Sequence, residues 1–87
     1  MGCTVPFCPR DDTVHPLQRQ FGIVLRRRRL AANLSQEKLP ENANLHRNYV
    51  GLLERGQRMP TIVVVQQLAV ALDTTMAKLL EEVEREA

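Results

Sequence analysis

The sequence has no tryptophan, and phenylalanine and tyrosine together make up only 3% of it, so any core must be assembled from aliphatic side chains. No stretch approaches the roughly 18 consecutive apolar residues of a membrane span, and the N-terminus lacks a basic region followed by an apolar run. A soluble, cytoplasmic protein is expected. Cysteine is scarce: Cys3 and Cys8, with His15 beyond them, offer too few ligands for a closed zinc site, and both are expected to be free thiols. Met1-Gly2-Cys3 opens like a lipidation signal, but Pro6 stands where that pattern needs Ser or Thr. There is no Ser-His-Asp or Cys-His constellation in a plausible pocket and no phosphate-cradling glycine loop. That inventory argues against an enzyme, and no cofactor or metal is expected.

What is present is one small domain. Eighty-seven residues bury only about 60 to 65% of the surface that the unfolded chain exposes, so pairing with a second copy would add stability. The net charge of +2 hides an asymmetry: residues 1–18 carry −1, residues 19–58 carry +6, and residues 59–87 carry −3. A cationic block of that size points to a polyanionic partner, although a salt-bridged surface would give the same count.

Residues 1–18, with Pro6, Pro9, Pro16 and no apolar periodicity, read as a flexible leader, and residues 19–87 as the folded domain. Phe21, Leu25 and Ala32, with Val24 beside them, predict a first helix over 21–32, closed by Asn33 in the left-handed region. Ser35 caps a short second helix over 35–42, the Asn42-Ala43-Asn44 turn follows, and a third helix runs over 46–55 with Val50 and Leu53 facing inward and Gly56 as its cap. Ile62, Val65, Leu68, Ala69 and Leu72 follow a helical period. Ile62 to Val65 also has strand propensity, but a lone strand cannot satisfy its backbone. Thr75 caps a fifth helix with Met76, Leu79, Leu80 and Val83 on its apolar stripe. The expectation is an all-α fold of five helices.

Two short helices around a tight turn match the helix-turn-helix arrangement, whose second helix enters a DNA major groove; spacing alone is weak evidence. The wording of the sequence adds to it. Leu34-Ser35-Gln36-Glu37-Lys38-Leu39, Leu45-His46-Arg47-Asn48-Tyr49-Val50, Leu53-Glu54-Arg55-Gly56 and Pro60 together resemble the phage-repressor-like (XRE, or Cro and cI-like) transcriptional regulators. The combination of His-Arg-x-Tyr and Glu-Arg-Gly is similar in particular to small regulators of restriction-modification operons. The resemblance covers roughly residues 20–80 and implies a compact lambda-repressor-like domain that binds double-stranded DNA as a repressor or autoregulator.

It further implies base reading by His46, Arg47, Asn48, Gly51 and Leu52, phosphate contacts from Gln36, Tyr49 and Arg58, and a buried ion pair between Arg29 and Glu54. The chemistry of these side chains suits those roles. Arg47 can donate twice to guanine, Asn48 can pair bidentately with adenine, Leu52 can touch a thymine methyl, and Gly51 permits close approach. Tyr49 is equally suited to core packing. Arg26 to Arg29 point in four directions at 100° per residue, so they do not form one patch; the members other than Arg29 are expected in solvent or near phosphates. Two residues depart from the family pattern. Pro40 lies inside the expected second helix, where its ring conflicts with the Gln36 carbonyl, so that helix should bend or start late. Asn44 stands where glycine is usual, and it must take a positive φ.

Helices four and five carry more apolar residues than one small core can use: Val63, Val70, Met76, Leu80 and Val83 are expected at a dimer interface. Two copies would present their reading helices about 34 Å apart, on half-sites about 10 bp apart. The rival from another class is an antitoxin-like protein-interaction module of the same fold, whose acidic segment 75–86 masks a basic partner protein.

Overall fold

A computed structural model describes residues 15–86, and Cys3, Cys8 and the other residues of 1–14 lie outside it. It contains five helices, α1 (Pro16–Ala31), α2 (Lys38–Ala43), α3 (Tyr49–Glu54), α4 (Ile62–Ala71) and α5 (Met76–Arg85), with no strand among the described residues. The all-α expectation holds, and three of its boundaries move.

The first helix starts at Pro16, five residues before Phe21, and takes Pro16, Leu17 and Gln18 from the segment read as leader. Its start is held by His15, whose Nδ1 accepts the Leu17 N–H at 3.0 Å, and by a proline at the first helical position, where no amide donor is required. At the other end Asn33 takes φ 60°, its N–H donates to Leu30 O, and Leu34 N–H donates to Arg29 O, which satisfies carbonyls that the helix leaves open. Phe21, Val24 and Leu25 are buried as expected, whereas Ala32 is exposed.

The second helix begins at Lys38, because Pro40 has no amide to bond Gln36 O. Ser35 nevertheless caps this start, its Oγ accepting Lys38 N–H at 2.9 Å. Pro40 thus falls in the first turn, where amide donors have no helical partner anyway, and its ring is fully buried. Asn44 closes α2 at φ 62°. The third helix starts at Tyr49, three residues later than expected, and leaves His46, Arg47 and Asn48 in the turn that leads into it. Gly56 at φ 72° ends it.

The ambiguous Ile62–Val65 segment is helical, opened by Thr61 Oγ1 accepting Val64 N–H, and Thr75 does the same for Lys78 at the head of α5. The core joins Phe21, Val24 and Leu25 of α1, Leu39 of α2, Val50 and Leu53 of α3, Val65, Leu68 and Ala69 of α4, and Leu79 and Val83 of α5. Within it α1 packs on α3 and α5, and α2 packs on α4. The crossing of α1 over α3 is close enough that a Cβ on Gly22 would lie 2.5 Å from Leu53 O and 2.7 Å from Glu54 O, so only glycine fits there.

The expected placements of five residues are revised. Val83 is 3% exposed and belongs to the core, and Met76 packs against that core from its edge. Both are therefore used within the chain, while Ile62, read as a core position, is mostly exposed. Arg27 and Arg28, expected in solvent or near phosphates, turn onto α5: Arg27 donates to Glu82 and Glu86 and Arg28 Nε to Glu82, all at 2.7–3.0 Å. Burial pushes the Glu82 carboxyl up, but its bonds to Arg28 and Arg27 outweigh this and hold it below the usual range.

Candidate nucleic-acid interface

One side of α3 is sealed and the other is open. Val50 and Leu53 have no exposed surface, and Glu54, one residue on, turns to Arg29 of α1. Arg29 Nε donates to Glu54 Oε2 at 2.5 Å, Nη2 to Oε1 at 3.1 Å, and Nη1 to the Leu34 carbonyl at 2.9 Å. The two side chains are 8% and 3% exposed, so the pair is a dry clamp between α1 and α3. It is stable only because both oxygens and most of the guanidinium are bonded.

The clamp extends to the surface. Gln36 Nε2 donates to Glu54 Oε1 at 3.0 Å, which orients the amide at the mouth of α2. An amide nitrogen carries two hydrogens, so the second remains for a group approaching from outside.

On the open side, Gln36, Glu37, Arg47, Asn48, Gly51, Leu52 and Arg55 line a polar depression of about 370 Å³. Four of the five expected base-reading residues, together with Gln36, therefore meet on one surface. Arg47 and Asn48 are exposed and Leu52 is half-buried. A Cβ on Gly51 would meet only side-chain atoms, Arg55 Nη1 at 3.3 Å and Gln36 Oε1 at 3.8 Å. Glycine is thus not demanded by the protein's own packing, and its smallness keeps the floor of the depression low.

Three expected site residues lie apart from this depression. His46 is exposed, and its Nδ1 accepts the Asn48 N–H. Tyr49 is half-buried with its ring against the core, the packing alternative weighed for it from the sequence. Arg58 is exposed beyond Gly56.

Arg55 and Glu37 are the lining residues that sequence reasoning missed. Arg55 had a signal, since it lies four residues after Gly51 and one helical turn places both on the same face. Its Nε donates to Gln57 Oε1 at 3.2 Å. Two arginines and one glutamate line the depression, a balance suited to an anion.

A family model described as a helix-turn-helix domain matches residues 20–83. Control protein C.SmaI of Serratia marcescens is 50% identical over 48 residues, covering 55% of this chain and 57% of that protein, so this chain spans somewhat over half of that relative. The crystal structure of the restriction-modification controller protein C.AhdI from Aeromonas hydrophila superposes with a TM-score of 0.72 at 43% identity, over 75% of this chain and 98% of that one. A chain of controller protein C.Esp1396I, solved as a tetramer in complex with its natural 35 base-pair operator, superposes with a TM-score of 0.74 at 27% identity, over 80% of this chain and 92% of that one. With residues 20–83 matched by the family model and the turn, clamp and open face in place, the chain belongs to the helix-turn-helix controller proteins of restriction-modification systems.

Proposed function

We propose that the chain is a sequence-specific regulator that binds a pseudo-palindromic DNA operator as a homodimer, working in the cytoplasm at the nucleoid and catalysing no reaction. The observation that carries this is the single polar depression in which Gln36, Arg47, Asn48, Gly51 and Leu52 converge. In this reading Arg47 donates to guanine O6 and N7, Asn48 pairs with adenine, and Leu52 touches a thymine methyl. Gln36 gives a phosphate its second N–H while the first stays on Glu54, and Arg58 neutralises a further phosphate. Arg55, at the wall of the depression, adds charge beside the same strand. The relative crystallised on its operator supports DNA as the ligand.

The pairing surface lies on α4 and α5. Val63, Val70 and Leu80 remain exposed there, and Leu80 borders an apolar groove of about 220 Å³ lined also by Leu17, Phe21, Met59 and Ile62. Val83 forms the floor of this groove from within the core. Selection of bound duplexes from a random pool, at fixed salt, should enrich a site with two related halves about 10 bp apart. Recovery of unrelated sequences, or sedimentation as a monomer at micromolar concentration, would contradict the proposal.

The antitoxin-like reading draws less support. Glu82 and Glu86 of the acidic helix are engaged by Arg27, and Glu81 by Arg85, which reduces the charge left to mask a basic protein.

A further inference from the structure

The turn that carries Arg47 and Asn48 is set by a side chain for which the proposed DNA contacts leave a different job. His46 Nδ1 accepts the Asn48 N–H at 3.2 Å, and the His46 carbonyl accepts the Tyr49 N–H at 3.0 Å. For Nδ1 to accept, the ring must be the neutral tautomer with its hydrogen on Nε2. The imidazole thereby takes the acceptor role that Asn, Asp or Ser fill at helix starts. The same contact recurs at His15, whose Nδ1 accepts the Leu17 N–H at 3.0 Å to open α1, so both histidines of the chain are used in this way. At α3 the bond matters more. That helix is six residues long, and Asn48, which immediately precedes it, makes no capping bond with its own side chain.

We infer that His46 is a positioning residue for DNA reading: its Nδ1 fixes the Arg47–Asn48 peptide, and it does not itself read a base. This rests on the DNA-binding reading above and assigns His46 a role within it. Without the bond, the Asn48 amide turns to water and the peptide loses the constraint that aims both reading side chains at the same groove. Discrimination at the two base pairs they read should then fall together.

The geometry of the ring supplies the test. Asparagine carries its Oδ1 on Cγ, as histidine carries Nδ1, whereas glutamine places its polar atoms where Nε2 stands. In the full chain, His46→Asn should keep the Asn48 amide protected from hydrogen exchange and keep near wild-type affinity for the selected duplex. His46→Ala and His46→Gln should speed exchange at Asn48 and weaken binding about fivefold, the scale of a lost helix cap, with loss of preference at both base pairs. A base-reading histidine gives the reverse pattern: His46→Gln retained, His46→Asn impaired, and one base pair affected. That result, or unchanged Asn48 exchange in His46→Ala, would overturn the inference. A wild-type chain that enriches no duplex would overturn the DNA reading and the positioning role with it, while the exchange comparison would still show whether the capping bond exists.

Discussion

The inward and outward sides of α3 differ in what each contributes. Inward, Val50, Leu53 and Glu54 are closed off against α1, and the Arg29–Glu54 pair leaves almost no surface to water. Outward, Arg47 and Asn48 are exposed, and Arg47 makes none of the side-chain bonds that tie Glu54 down. Stability should therefore reside on the inward side of α3, and selectivity on its outward side together with the turn that precedes it. Gln36 touches both, bonded to Glu54 while lining the depression.

The largest expected effect separates the two sides. Glu54→Ala strands the Arg29 guanidinium in a dry site and should cost about 3 to 5 kcal/mol of stability, read by urea unfolding. Leu53→Ala, which empties a fully buried position, should cost about 2 to 5 kcal/mol in the same assay. If either variant unfolded at the wild-type midpoint, the inward side would not be the structural one.

Gly51→Ala sharpens the contrast because its two effects should have opposite signs. The added methyl meets only the flexible end of Arg55 and the Gln36 amide, so helix propensity should raise stability by roughly 0.5 to 1 kcal/mol. The same methyl raises the floor of the depression, and duplex affinity should fall. Loss of both stability and affinity would mean that the glycine serves the fold.

The smallest effect is expected at α1–α5. Glu82→Gln removes partners from Arg27 and Arg28, yet the pairs are solvent-screened and should contribute little to stability. Because the folded-state Glu82 carboxyl is held below its ordinary range, its contribution is present above the unfolded value near 4.3 and is lost as pH falls through the folded one. Urea unfolding of Glu82→Gln should therefore differ from wild type less at pH 3 than at pH 7.

Much of the frame was legible because it is local. Positive φ at Asn33, Asn44 and Gly56 followed from residue chemistry beside a helix end, and Ser35 and Thr75 capped the helices expected of them. The early start of α1 was hidden because an imidazole acts as its cap, a role more usual for Ser, Thr, Asp or Asn. The late start of α2 was half visible in Pro40. Partners far apart in sequence carried no such signal. Arg27 and Arg28 find Glu82 more than fifty residues away, and the apolar stripe of α5 does not reveal which of Leu80 and Val83 faces the chain's own core. In the candidate site, the segment holding Arg47, Asn48, Gly51 and Leu52 was legible from its wording, while Arg55 was overlooked as part of a structural triplet.

The most direct test of this division is to titrate wild-type and Arg47→Ala protein against the selected duplex and its single-base variants at fixed salt, with unfolding measured in parallel. Arg47→Ala should lose roughly 1 to 3 kcal/mol on the preferred duplex, lose its preference at one base pair in each half-site, and unfold at the wild-type midpoint. Uniform weakening across every variant, or a lowered unfolding midpoint, would contradict the account.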